Sequence, residues 1–184
     1  MLLKAKAVAI GGLFTALAVT CLILSGVINT SSMFFIALAS FFIGTVMMVT
    51  NLVYGLSAGT ATFLLGLMLV PKKTHCLTFS ICAAYVLAEE FFLGKKRKGE
   101  SVNPIIEWSV KVGAFIIPVA IEAAIEIYLV GFDALLLPGL FSEFNAALKI
   151  LAAVVMVVLY IVIIDRAYIY YSRYAMRITG RMMN

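Results

Sequence analysis

Long apolar runs follow one another along almost the whole chain. Each continues for about 20 residues, the length that a helix needs to cross roughly 30 Å of hydrocarbon, and none shows the alternating pattern of membrane barrel strands. Unpaired backbone amides are costly in lipid, so runs of this kind favour helices. The six predicted helices cover about Ala7–Ile28, Met33–Thr50, Leu52–Val70, Leu77–Leu93, Pro104–Val130 and Ala146–Tyr171.

Composition supports a membrane protein and excludes a soluble enzyme. Of the 184 residues, 64% are hydrophobic and 12% are charged, against about 45–50% and about 25% in soluble domains. A soluble fold of this length cannot hide so much apolar surface. We therefore predict an all-α, polytopic membrane protein, with six transmembrane helices in a single domain over residues 1–184.

The distribution of Lys and Arg predicts that both termini lie in the cytoplasm. With that orientation, only Lys72, Lys73 and Lys149 of the fourteen basic residues fall outside, as the positive-inside rule requires. The net charge of +5 is thus a signal of topology. Nucleic acid is not an expected partner, because no aromatic platform or soluble domain accompanies the charge.

Glu122 and Glu126 are the strongest candidates for a binding site. They lie one turn apart within an apolar run, where carboxylates are expensive and are usually functional or paired. Lys149, at the predicted outer start of the sixth helix, is the nearest candidate partner. A ligand or cation site in the outer half of the membrane is one interpretation; snorkelling or structural hydrogen bonding is the other.

The segment 131–145 mixes polar and apolar residues and suits a re-entrant or interfacial loop.

The remaining charged residues are predicted to be structural. Glu89 and Glu90 lie near the inner end of the fourth helix, and Glu107 with Lys111 forms an i, i+4 pair, which contributes only a few tenths of a kcal/mol when it is exposed. Asp165 beside Arg166 is interpreted in the same way.

Two further groups of side chains have ordinary interpretations. His75 is the only histidine and is assigned to a solvated loop, since no second metal-binding side chain accompanies it at a suitable spacing. Four tyrosines near the carboxyl terminus have the composition of an interfacial belt: Tyr168, Tyr170, Tyr171 and Tyr174.

Small residues recur on one face of the first helix. Ala5, Ala9, Gly12 and Ala16 are spaced by four, three and four residues, and such a face lets helices approach closely in lipid. It serves either as a docking face for another protein or for packing within this chain.

No constellation of residues for catalysis is found. The sequence contains no nucleophile elbow, phosphate-binding loop, HExxH or CxxC motif, and Cys21, Cys76 and Cys82 suggest neither a disulfide framework nor a zinc site. We expect no enzyme activity, no cofactor and no metal site.

The run from Thr15 to Ser40, the six-helix topology and the acidic-to-basic ending of the sixth helix at Asp165 resemble the substrate-binding S components of energy-coupling-factor (ECF) transporters, or a related family of bacterial six-helix membrane proteins. The resemblance implies a bacterial cytoplasmic-membrane protein that binds a vitamin or other micronutrient. Ala5, Ala9, Gly12 and Ala16 would dock on a transmembrane coupling subunit that carries two ATPase subunits. The small-molecule substrate would lie near the outer surface. The positions that match this region are Asn29 and Thr30 with Ser31 and Ser32, the segment from Lys72 to His75, Glu122, Glu126, and the segment from Asp133 to Asn145.

Two other hypotheses remain open. A non-transport membrane scaffold, similar to the cell-shape proteins that organise wall synthesis, would use Glu122 and Glu126 only as structural groups. An intramembrane enzyme ranks last, because the sequence offers no nucleophile and base.

Overall fold

The residues that the structure describes form a bundle of six α-helices. The structure, a computed structural model, describes residues 2–130 and 146–183; it gives backbone alone at Asn29, near both chain ends and at most positions between 123 and 157. The helices are α1 (Leu2–Val27), α2 (Ser32–Val49), α3 (Leu52–Leu69), α4 (Lys73–Arg97), α5 (Pro104–Val130) and α6 (Ala146–Met183), and a 3-10 turn (Asn29–Ser31) joins α1 to α2.

The prediction of an all-α membrane protein is confirmed. The described residues contain no strand, and five helices in this part of the chain are long and apolar enough to span a membrane, namely α1 to α5. The sixth, α6, is 38 residues long, which at 1.5 Å per residue gives about 57 Å. It therefore extends well beyond the thickness of a bilayer core.

Local polar groups fix several helix ends. Asn51 accepts a hydrogen bond from the backbone amide of Tyr54 at 3.2 Å and caps α3. Pro104 opens α5, as predicted, at a position where its missing amide costs nothing. Gly99 has φ +77°, and the amides of Gly99 and Glu100 bond back to the carbonyls of Lys96 and Lys95. This Schellman motif ends α4 and requires a residue that adopts a left-handed backbone readily.

Three helices differ from their predicted bounds. The first begins at Leu2, where about Ala7 was predicted, and the fourth ends at Arg97, where about Leu93 was predicted. The fourth was predicted from Leu77 but begins at Lys73, so His75 lies in its first turn. The sixth continues past Tyr171 to Met183, because its basic residues interrupt the apolar pattern without interrupting the helix. The predicted loop over 131–145 lies outside the described residues.

The helices α2 and α4 form the centre of the bundle. They pack on each other, and both contact α1, α3 and α6; α5 packs on α4. Glycine allows the closest approach, since a Cβ added at Gly44 in α2 would lie 2.7 Å from Val86 Cγ1 in α4 and 2.5 Å from the Tyr168 hydroxyl in α6. Among the described residues, the backbones of α5 and α6 do not approach each other. In this part of the chain, α5 is therefore positioned by α4, and α6 is positioned by α2 and α4.

One end of the bundle is basic. The helices run alternately up and down, so the end of α4, the start of α5 and the end of α6 lie together. We call this end the basic end; it carries Lys95, Lys96, Arg97, Lys98, Arg173 and Arg177.

Candidate functional site

The structure places Glu122 at the end opposite the basic end. Its carboxylate accepts a hydrogen bond from the Thr78 hydroxyl at 3.3 Å, and Thr78 lies in the second turn of α4. The side chain is only partly buried. Thr78 of α4 is thus a polar partner of Glu122. The sequence analysis had named a different residue, Lys149 of the sixth helix, as the nearest candidate.

Two further polar contacts involve residues of α4 within about one turn of Thr78. The Cys82 sulfur and the Tyr160 hydroxyl are 3.4 Å apart and join α4 to α6. The buried Ser25 hydroxyl lies 3.1 Å from His75 Nδ1 and joins α1 to α4. The interpretation of His75 as a solvated loop residue is therefore wrong: it is a half-buried helical residue with a partner.

The rest of the predicted substrate region is not defined at the level of side chains. The side chains of Glu126, Lys149 and Asn29 lie outside the described set, and Asn145 lies outside the described residues altogether. Thr30 is exposed in the short turn between α1 and α2. Only Glu122 and Thr30 of the predicted substrate residues can therefore be placed by their side chains.

The predicted docking residues of α1 all face outward. Ala5, Ala9, Gly12 and Ala16 are exposed, and a Cβ added at Gly12 would meet no atom within 4 Å. The opposite side of α1, represented by Ala18 and Leu22, is fully buried. Packing against the described residues therefore does not explain the small-residue face.

A buried ionic cluster joins α4, α5 and α6 near the basic end. Lys111 is 4% exposed; its ammonium contacts Glu89, lies 2.8 Å from Glu107 and lies 4.0 Å from Asp165. Glu107 has a second ammonium at 2.7 Å, from the half-exposed Lys96. We call these five residues the Lys111 cluster.

The interpretation of Glu107 and Lys111 as an exposed pair is wrong. The i, i+4 pair of Glu107 and Lys111 is present, but Glu89 is 2% and Glu107 is 6% exposed. A buried ion that loses its partner costs several kcal/mol, far more than an exposed one. The cluster is therefore a major polar feature of the bundle.

A second buried pair lies beside the first. Glu90, 2% exposed, contacts the Arg97 guanidinium one to two turns further along α4 and accepts a hydrogen bond from the Tyr168 hydroxyl at 2.7 Å. Tyr168 is 1% exposed, so its assignment to an interfacial belt is wrong. Tyr170 and Tyr174, at 70% and 65% exposed, have the exposure that such a belt requires.

The equal depth of Glu89 and Lys111 follows from where their helices end and begin. In antiparallel neighbours, residues at equal distances from the shared end lie at equal depth. Glu89 lies eight residues before the end of α4 at Arg97, and Lys111 lies seven after the start of α5 at Pro104. With the end of the fourth helix predicted near Leu93, only four residues after Glu89, the sequence analysis did not place the two charges at equal depth.

The polar residues of α4 form one seam along the helix. Thr78, Cys82, Tyr85 and Glu89 are spaced by four, three and four residues, which places them on one face. Each has a partner on a later helix: Glu122 on α5, Tyr160 and Asp165 on α6, and Lys111 on α5. This seam positions α5 and α6 against α4.

Comparison with known proteins adds no relative: no family model matches the chain, and neither a curated protein nor a solved structure matches it.

Proposed function

We propose that this chain is the substrate-capture subunit of a bacterial ECF-type importer for a vitamin or other micronutrient, and that it resides in the cytoplasmic membrane. The observation that supports this function best is the outward-facing small-residue face of α1. The resemblance of the run from Thr15 to Ser40 to S components supports the same assignment.

An exposed small-residue face favours a helical partner over lipid. Ala5, Ala9, Gly12 and Ala16 leave a shallow surface on α1. Another helix can approach such a surface closely and gain van der Waals contacts along its length. The partner that this function requires is a transmembrane coupling subunit, which in turn carries the ATPase subunits.

The substrate is proposed to bind at the end where Glu122 lies. A carboxylate in a membrane helix is expensive and usually serves a site, and this one is held by Thr78 at the end away from the basic residues. The positive-inside rule assigns the basic end to the cytoplasm. Glu122 would then be close to the outer surface, which is where a capture subunit receives its substrate.

The docking proposal is tested by adding bulk to α1. We expect Gly12→Leu to lower the amount of ATPase subunits that co-purify with the tagged chain about tenfold, equivalent to about 1.4 kcal/mol, because the added side chain separates the two helices. The measurement is quantitative mass spectrometry of complexes purified from native membranes in mild detergent.

Leu17→Phe is the matched control, because Leu17 is also exposed on α1 but lies away from the small residues. It should leave co-purification unchanged. A wild-type chain that brings down no ATPase subunit, or equal losses in both variants, would contradict docking through this face.

The substrate proposal is tested by neutralising both glutamates. We expect Glu122→Gln combined with Glu126→Gln to abolish retention of a small molecule in native mass spectra of the purified chain, while the ATPase subunits still co-purify. Glu100→Gln, which changes an exposed carboxylate at the basic end, is the control. A scaffold would retain no small molecule even as wild type and would keep its partners in every variant.

A further inference from the structure

A cleft opens at the basic end, between the turn that joins α2 to α3 and the last two turns of α4. Its volume is about 430 Å³, within the range of roughly 300–1,000 Å³ that is typical of ligand pockets. Part of its wall is apolar and is formed by Met47, Met48, Leu52 and Phe91. We call this space the basic-end cleft.

Two lysines on the wall of the cleft carry charges that are not neutralised within the described part of the chain. The Lys95 ammonium lies 4.8 Å from the centre of the Phe91 ring, and Lys98 is exposed directly after α4. Neither forms an ion pair with a described carboxylate. Arg97 also lines the cleft, but its guanidinium is paired with Glu90.

The first turn of α3 adds hydrogen-bond donors to the same cleft. Asn51 lines the cleft; its side-chain oxygen caps the amide of Tyr54, and its NH₂ group is a further donor. The amides of Leu52 and Val53 belong to the first turn, whose N–H groups have no partner within a helix. The positive end of the α3 dipole therefore lies beside the two lysines and favours an anion there.

The charges that line the cleft leave one positive charge in excess. Lys95, Arg97 and Lys98 are opposed by Glu90 and Glu100. Because Glu90 and Arg97 balance each other, a single negative charge is enough to neutralise the remainder. A phosphodiester group carries that charge.

The position of the cleft favours a lipid as the source of the phosphodiester. The apolar part of the wall belongs to α2, α3 and α4, which are all long and apolar enough to span a membrane. A phospholipid can place its phosphate near the lysines and its acyl chains along this apolar part. A soluble anion would leave the apolar part without a contact, and a headgroup with its own cation, such as choline, would bring a positive charge towards the lysines.

We propose that the basic-end cleft binds one anionic phospholipid with an uncharged polar headgroup, such as phosphatidylglycerol, whose phosphate lies among Lys95, Lys98 and the first turn of α3. Basic pockets between membrane helices are known to bind anionic headgroups. The structural alternative is that the two lysines only stabilise the negative end of α4, which requires no lipid. The site does not depend on the proposed importer function, and the mass of the bound lipid distinguishes it from a substrate.

Native mass spectrometry tests the proposal on the purified chain after its lipids have been removed in mild detergent. The chain is titrated with phosphatidylglycerol or with phosphatidylcholine of identical acyl chains, and we expect one phosphatidylglycerol to be retained in preference. Lys95→Gln combined with Lys98→Gln should weaken this binding about 30-fold, equivalent to about 2 kcal/mol for two lysines. Equal retention of both lipids by the wild type would overturn the proposal.

The matched control is Arg173→Gln combined with Arg177→Gln. It removes the same charge from the basic end, at exposed positions that do not line the cleft. It should leave the binding of the retained phosphatidylglycerol unchanged. A loss as large as that of the lysine variant would mean diffuse attraction to the whole basic end, and the proposal would be abandoned.

Two single substitutions are expected to act in opposite directions. Glu100→Gln removes a carboxylate from the cleft and should strengthen phosphatidylglycerol binding about fivefold. Asn51→Asp retains an oxygen that caps α3 but adds a negative charge, so it should weaken binding by a similar factor. If neither substitution changes lipid binding, the lysines serve only the end of α4, and the proposal is wrong.

Inorganic phosphate distinguishes a lipid site from a site for a soluble anion. Replacing sodium chloride with sodium phosphate at constant ionic strength should leave phosphatidylglycerol bound, because phosphate alone makes none of the apolar contacts. Displacement of the lipid would show that the cleft recognises a soluble phosphate group, and the assignment to a phospholipid would fail.

Discussion

Replacing Lys111 with methionine is expected to lower the free energy of unfolding by about 3–5 kcal/mol, the usual cost of breaking a buried ion pair from one side. Methionine retains the length and the apolar part of the lysine, so the change isolates the loss of the ammonium. Glu89, Glu107 and Asp165 would then face one another without it. Equilibrium unfolding in mixed detergent micelles measures the difference.

The pH dependence and a control distinguish this effect from a loss of packing. The deficit of Lys111→Met should shrink as the pH falls, because protonation removes the repulsion between the carboxylates. Lys98→Met, at an exposed position just after α4, should change stability by less than about 0.5 kcal/mol. A deficit that stays constant with pH, or one that Lys98→Met reproduces, would contradict the electrostatic account.

Gly44→Ala is expected to destabilise the bundle by about 1–3 kcal/mol, the typical cost of overpacking a core. The added methyl group would lie 2.7 Å from Val86 Cγ1 and 2.5 Å from the Tyr168 hydroxyl. To relieve the overlap, Tyr168 must move, and its 2.7 Å hydrogen bond to Glu90 is then disturbed. The same unfolding measurement gives the size of the effect.

Gly113→Ala is the matched control for this substitution. Gly113 also lies within a helix, but a Cβ there would meet no atom within 4 Å, and alanine is the better helix former. We expect it to be neutral or stabilising. If Gly113→Ala is as harmful as Gly44→Ala, close approach of α2, α4 and α6 is not the cause.

Apolar run length was sufficient to predict the helices. Runs of about 20 residues leave the backbone no other solution in lipid, and Pro104 and Asn51 marked helix boundaries that the structure confirms. The errors of extent, at both ends of α4, at the start of α1 and at the end of α6, have one origin. Hydropathy identifies the part of a helix that prefers lipid to water. The helix itself extends through polar residues for as long as its backbone hydrogen bonds continue.

The ionic cluster was misjudged because the charges were considered one helix at a time. On a single helix, Glu107 and Lys111 form an ordinary surface pair, and Glu89 lies close in sequence to basic residues that offer a counter-charge. The burial of these charges, and the approach of a third carboxylate, that of Asp165, become apparent only when α4, α5 and α6 are placed together. The small-residue face of α1 was recognisable from its spacing, but its outward orientation was not.

The two neighbouring glutamates of α4 take their counter-charges from different helices, and this has a consequence for membrane insertion. Glu90 finds its counter-charge in Arg97 of the same helix, so it is neutralised once that helix has been synthesised. Glu89 depends on Lys111, which the ribosome adds 22 residues later. A nascent chain that ends between Glu89 and Lys111 brings the carboxyl group of Glu89 into the bilayer without its counter-charge. We therefore expect α4 to be stable in the lipid only after α5 has been inserted.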